Sequence, residues 1–128
     1  SSFAYQIAKG EKNGNYVVKH GNLDSVRTYS HIDDAIEAYW LCSESDKYGE
    51  VYNIGGSETC KIGEALDSMI SKSDKPFVKV LDKNRLRPTD ITLQIPSTTK
   101  FKTDFNWKPK KNMDDIWNDL LKYWREKV

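Results

Sequence analysis

Cysteine is scarce in this chain of 128 residues, and the two present, Cys42 and Cys60, stand at no metal-like spacing. A disulfide-stapled scaffold is therefore excluded, and both thiols are expected to be reduced. No apolar run approaches the roughly 20 residues that cross a bilayer, and no basic segment followed by an apolar stretch opens the chain. Cytoplasm is the expected compartment, with no membrane association. Net charge is also scarce: Lys plus Arg total 20 against 19 acids, leaving +1 and no field that would recruit nucleic acid. His20 and His31 lack a cysteine or carboxylate partner at ligand spacing, so no metal site is expected. No Gly-x-Gly-x-x-Gly follows a strand, and Gly55-Gly56 alone reads as a turn.

What is present is strand and helix in alternation. Phe3, Ile7 and Ala8 recur at helical spacing, and Gly10, Asn13 and Gly14 close that helix. Tyr16 to Lys19 is a short strand stopped by Gly21-Asn22, and Val26 to Tyr29 is extended. Ile32, Ala35, Ile36 and Tyr39 form an amphipathic stripe headed by Ser30 or His31, with Asp33, Asp34 and Glu37 where a helix dipole favours acids. Glu50 to Ile54 reads as a strand. Ile62, Ala65, Leu66, Met69 and Ile70 mark another helix, and Phe77 to Leu81 an alternating strand. A short helix is expected near Ser97 to Asp104. The last helix carries Met113, Ile116, Trp117, Leu120, Leu121 and Trp124 on one face. The fold class is α/β or α+β in a single region, 1–128. The opening at Ser1, inside an apparent helix, reads as a fragment.

Arg85-Leu86-Arg87-Pro88-Thr89-Asp90 is the stretch richest in chemistry. The planar donor fork of Arg87 suits a phosphate, and Pro88 holds Arg87 extended. Asp90 offers an acceptor to ribose hydroxyls, and Arg27 supplies a second cation. Together they suggest a nucleotide-diphosphate site; taken alone, the same residues also fit charges on a solvated loop. Asn22 either bonds a ligand or holds its own turn. Trp40, Trp107, Trp117 and Trp124 read as core or interface, and Lys108, Lys110 and Lys111 as a solvated face.

Beyond these patterns, the chain resembles the C-terminal part of an extended short-chain dehydrogenase/reductase acting on nucleotide sugars. Within that superfamily it is most similar to the GDP-mannose 4,6-dehydratase and GDP-4-keto-6-deoxymannose reductase families. The resemblance rests on Ser2 to Ala8, Gly21-Asn22-Leu23 with Arg27, His31 to Leu41, Gly49 to Gly56, Arg87-Pro88-Thr89-Asp90 and Asn106-Trp107-Lys108-Pro109. It implies a substrate-binding region carrying a fragment of the NAD(P)-binding Rossmann domain, whose N-terminal cofactor portion lies outside this chain. By the same resemblance Arg27 and Arg87 contact the diphosphate and Asp90 the ribose. Gln6 and Val18 fall where the family lines the base pocket, and equally read as a surface glutamine and a core valine. Where the family commonly has Asp after the first arginine, this chain has Thr28, which removes the usual local brace of Arg27.

Tyr5-Gln6-Ile7-Ala8-Lys9 matches the Tyr-x-x-x-Lys pattern of such dehydrogenases. It is not read as the catalytic pair, because the family's tyrosine lies upstream of the matching segment. No catalytic residue, cofactor site or metal site is thus expected here. The ligand implied is a GDP-sugar, with NADP bound by the full-length enzyme and a homo-oligomer as the assembly. The alternatives are a reductase or another NAD-dependent epimerase/dehydratase, and a stand-alone nucleotide-binding or assembly module without catalysis.

Overall fold

In the computed structural model, which describes residues 1–128, helix α1 spans Ser2–Asn13 and turns Ala4, Ile7 and Ala8 inward, the i, i+3, i+4 spacing of one helical face. It ends where Gly14 adopts φ 77° and returns its N–H to the Gly10 carbonyl. Strand β1, Val17–His20, pairs in parallel with β4, Val78–Leu81, placing Val17 opposite Val78 and His20 opposite Leu81. A second sheet has β2, Val26–Thr28, at its centre. It runs antiparallel to β3, Thr59–Lys61, and parallel to β5, Leu93–Gln94.

The main core lies where α1, α3 (Ile62–Ile70) and α5 (Met113–Lys127) meet β1. Ile7, Val18, Leu66, Trp117 and Leu121 are its large buried members. The helix boundaries follow from capping. Asn112 accepts from the Asp115 N–H while the Asp115 carboxylate accepts from the Asn112 N–H, a closed capping box at the start of α5. A smaller cluster forms around Phe101 of α4 (Thr99–Phe105), with Ala38 of α2 (Ile32–Ser43) and Trp107. Asn106 ends α4 in the left-handed region at φ 48°, which turns the chain so that Trp107 can enter that cluster.

Three expectations need correction. Glu50 to Ile54 is not a strand. Tyr52 and Ile54 do pack inward while Val51 and Asn53 face out, as extended backbone requires, but no neighbouring strand completes a ladder. Strand β4 does not alternate in burial, for all four of its residues are exposed. The acids of α2 are more than dipole complements. Asp34 is buried and accepts the backbone N–H of Lys110 at 2.9 Å and of Lys111 at 3.1 Å, while Glu37 accepts from Trp107 Nε1 and pairs with Lys110. The inward face of α2 is thus Asp34, Ala38 and half-buried Leu41 and Cys42, and its Ile32, Ile36 and Tyr39 stripe is 66%, 59% and 73% exposed.

Candidate functional site

The site begins at the end of β1, where Gly21 allows two segments to touch. A Cβ on Gly21 would lie 2.4 Å from the Arg85 carbonyl oxygen, so only glycine lets the 3-10 turn Lys83–Arg85 rest there. That turn is capped by Asp82, whose carboxylate accepts from the Asn84 N–H at 3.1 Å and pairs with Arg85 Nε at 3.3 Å. Pro88 follows, and the chain runs on through Asp90 into β5.

Asn22 then ties this loop to the turn after β1. Its Oδ1 accepts the Asp24 N–H at 2.9 Å, so Nδ2 is the donor toward Asp90 Oδ2 at 2.9 Å and Ser25 Oγ at 3.1 Å. The assignment is forced, since a backbone N–H only donates and a carboxylate only accepts. Ser25, 1% exposed, donates its hydroxyl to the same Asp90 oxygen at 2.8 Å. Asp90 is therefore held below the ordinary aspartate range, first by the Ser25 bond, then by Asn22, with the Ile91 N–H and the Arg27 charge adding to it against desolvation.

Arg27 extends from the central strand β2. Its Nη1 donates to the Val26 carbonyl at 2.9 Å, and Nη2 lies 3.4 Å from Asp90 Oδ1. These two contacts hold the guanidinium in place. Arg87 is exposed and makes no ion pair within the chain. Arg27, Arg85 and Arg87 all border one cleft of about 250 Å³ with Gly21, Asn22 and Asp90. Three of the chain's four arginines thus converge there, while its sixteen lysines are spread elsewhere. The cleft continues into a depression of about 430 Å³ beside His20, Leu81 and Leu86. Planar guanidinium forks around a small cleft bind an extended polyanion well, because each offers paired N–H donors at fixed spacing.

Arg27, Arg87, Asp90 and Asn22 are therefore brought together, whereas Gln6 and Val18 stand apart. Gln6 uses its amide on the Lys19 backbone, accepting its N–H at 2.8 Å and donating to its carbonyl at 3.1 Å. The Val18 side chain is fully buried against α1 and can present no side-chain atom to a ligand. Ser25 belongs with Asn22 and Asp90 too, although no motif marks it. Its only sequence signal is its place three residues after Asn22, at the entry to β2.

Other singled-out residues are structurally employed. His31 caps α2 through Nδ1, which accepts the Asp33 N–H, and so Nε2 donates to Asp119 at 2.9 Å. Lys9 Nζ reaches the Tyr5 hydroxyl at 3.3 Å on the exposed face of α1. Trp107 and Trp117 are buried, Trp124 donates to Ser1 Oγ at 3.2 Å, and Trp40 is exposed. The largest cavity, about 700 Å³, is walled mainly by apolar side chains such as Phe3, Met69 and Trp117. It has no arginine or lysine, and its His31 is bonded to Asp119, so it does not suit an anion.

A family model described as GDP-mannose 4,6 dehydratase matches residues 1–120. Human GDP-mannose 4,6 dehydratase is 27% identical over 120 residues, covering 79% of this chain and 32% of the human protein. The chain spans about a third of the length of the curated relatives it matches. Among solved structures, RMD from Pseudomonas aeruginosa, complexed with NADPH, superposes with a TM-score of 0.87 at 23% identity, over 99% of this chain and 42% of that one. UDP-glucuronic acid 4-epimerase from Bacillus cereus, complexed with UDP-glucuronic acid and NAD, gives 0.83 at 22% identity, over 100% and 40%.

Proposed function

The chain belongs to the GDP-mannose 4,6 dehydratase family, as the C-terminal part of an extended short-chain dehydrogenase/reductase, and on that premise we propose that it is the nucleotide-sugar-binding portion of an NADP-dependent enzyme acting on a GDP-sugar. One observation carries the reading: Arg27, Arg85 and Arg87 converge on a single cleft, and Arg87 has no carboxylate partner in the chain. Arg27 and Arg87 grip the diphosphate as charge-assisted, planar donors. Asp90 presents Oδ1 to the ribose. The adjoining depression, with Leu81 and Leu86 on its wall, receives the nucleoside. This region supplies affinity and orientation for the sugar rather than proton or hydride transfer.

The two longer helices that follow strands, α2 and α3, do not offer a nicotinamide dinucleotide the anion site it needs. Anion sites for such cofactors use free N–H groups at a helix start that follows a strand. Here α2 opens with Asp33 and Asp34, and its Asp33 N–H is spent on His31. At α3 the Ile62 and Gly63 N–H groups are spent on the Ser25 and Leu23 carbonyls. NADP is accordingly assigned to the remainder of the enzyme, and no step is drawn through it. No helix is long and apolar enough to cross a membrane. The uncovered Ile32, Ile36 and Tyr39 stripe supports self-association of the chain.

Calorimetry with GDP, UDP and guanosine tests this. A charge-assisted hydrogen bond is worth about 1.5–3 kcal/mol, so Arg87→Ala should weaken GDP about tenfold or more. Guanosine binding as tightly as GDP, or an unchanged GDP affinity in R87A, would overturn the assignment.

A further inference from the structure

Arg27 faces a carboxylate that ought to neutralise it. In the one closed pair of this chain, Arg125 grips Glu11 with both arms of its fork, Nε at 2.8 Å and Nη2 at 2.6 Å. That is the geometry an arginine and a carboxylate adopt when nothing restrains them. Arg27 and Asp90 do otherwise: a single contact of 3.4 Å joins them, longer than a charge-assisted hydrogen bond normally is. The difference lies in what holds the carboxylate. Asp90 Oδ2 is already bound by Ser25 Oγ at 2.8 Å and by Asn22 Nδ2 at 2.9 Å, and the Ser25 side chain is itself buried. Asn22 cannot swing away, since its other arm is engaged by the Asp24 N–H.

We propose that Ser25, seconded by Asn22, is a positioning residue that anchors Asp90 at a standoff and thereby keeps the Arg27 guanidinium open for a diphosphate. Without the anchor, Asp90 rotates, closes a two-armed pair with Arg27, and the cleft loses one of its cations to an internal carboxylate. The Val26 carbonyl keeps Arg27 in place from the other side, so the arginine waits with part of its fork unsatisfied. The inference rests on the diphosphate reading of the cleft, and Ser25 itself does not line that cleft.

Inorganic pyrophosphate is the probe, because it has no ribose and so does not report on any direct Asp90 contact. Its affinity is measured for the wild-type chain, Arg87→Ala, Ser25→Ala, Ser25→Thr, Asp90→Asn and the Ser25→Ala/Asp90→Asn pair. Ser25→Ala removes one oxygen atom and leaves the fold intact. It should weaken pyrophosphate about three- to tenfold, the worth of one hydrogen bond. Ser25→Thr, which keeps the hydroxyl, should restore the affinity. Asp90→Asn should bind at least as well as wild type, and adding Ser25→Ala to it should change nothing further, since the serine acts only through the carboxylate. An unchanged affinity in Ser25→Ala, or the same loss with and without Asp90, would overturn the standoff while Arg87→Ala still reported on the site. No Arg87-dependent pyrophosphate binding by the wild-type chain would overturn the diphosphate reading and the standoff with it.

Discussion

Gly21→Ala should cost the chain its nucleotide affinity without a charge being touched. The new Cβ would stand 2.4 Å from the Arg85 carbonyl oxygen and 3.0 Å from the carbonyl carbon. Carbon and carbonyl oxygen settle no closer than about 3.3 Å, so the 3-10 turn must retreat by roughly 1 Å. The atom in the way is backbone, so no side-chain rotation relieves the clash. Arg85 and, two residues on, Arg87 move with it. Overpacking of this kind costs about 1–3 kcal/mol in stability. In binding, one lost charge-assisted contact corresponds to about tenfold in GDP affinity. The control is Gly14→Ala, where φ is 77° and nothing stands within 4 Å of the added methyl. It should cost about 1–2 kcal/mol through the left-handed backbone alone and leave GDP binding as it was. Thermal melts paired with calorimetry separate the two effects. Wild-type GDP affinity in Gly21→Ala would refute the claim that this close approach places the arginine turn.

Asp34→Ala should destabilise the chain by about 2–4 kcal/mol, two hydrogen bonds to a charged acceptor less the relief of no longer burying it. Urea unfolding reads the total and amide exchange at Lys110 and Lys111 the local part; a change under about 0.5 kcal/mol with both amides still protected would show that Asp34 is dispensable. If the exposed α2 stripe drives self-association, Ile36→Asp should lower the mass seen by light scattering at high concentration, and identical masses for the two proteins would exclude that face.

The periodic elements were readable because their signal is local. Ile62, Ala65, Leu66, Met69 and Ile70 mark α3 from within nine residues, and the stripe of α5 does the same. The Arg27–Arg87–Asp90 grouping was readable only as residue types suited to one ligand; what brings them together is the bare backbone of Gly21 against Arg85, a contact that carries no pattern. Ser25 stayed hidden because its meaning resides in Asp90, 65 residues away. Asp34 looked like a dipole-favoured acid for the same reason, since the amides it serves lie 76 and 77 residues on. Glu50 to Ile54 misled in the opposite way. Its alternation is real, with Tyr52 and Ile54 inward, but no strand within this chain lies beside it.

The packing of α1 against α5 sets the order in which this chain can fold. Arg125 closes on Glu11 and Trp124 on Ser1 and the Tyr5 ring, so the first helix takes its main cover from the last. About a hundred residues separate Asn13 from Met113. At a synthesis rate of roughly 5–20 residues per second, α1 leaves the ribosome some 5–20 s before its partner exists. For that interval the inward face of α1 has β1 and α3 to pack on but lacks the Ile116, Trp117 and Leu121 side of its core. The main core therefore closes only when the C-terminal helix arrives, a contact of long sequence separation that slows folding.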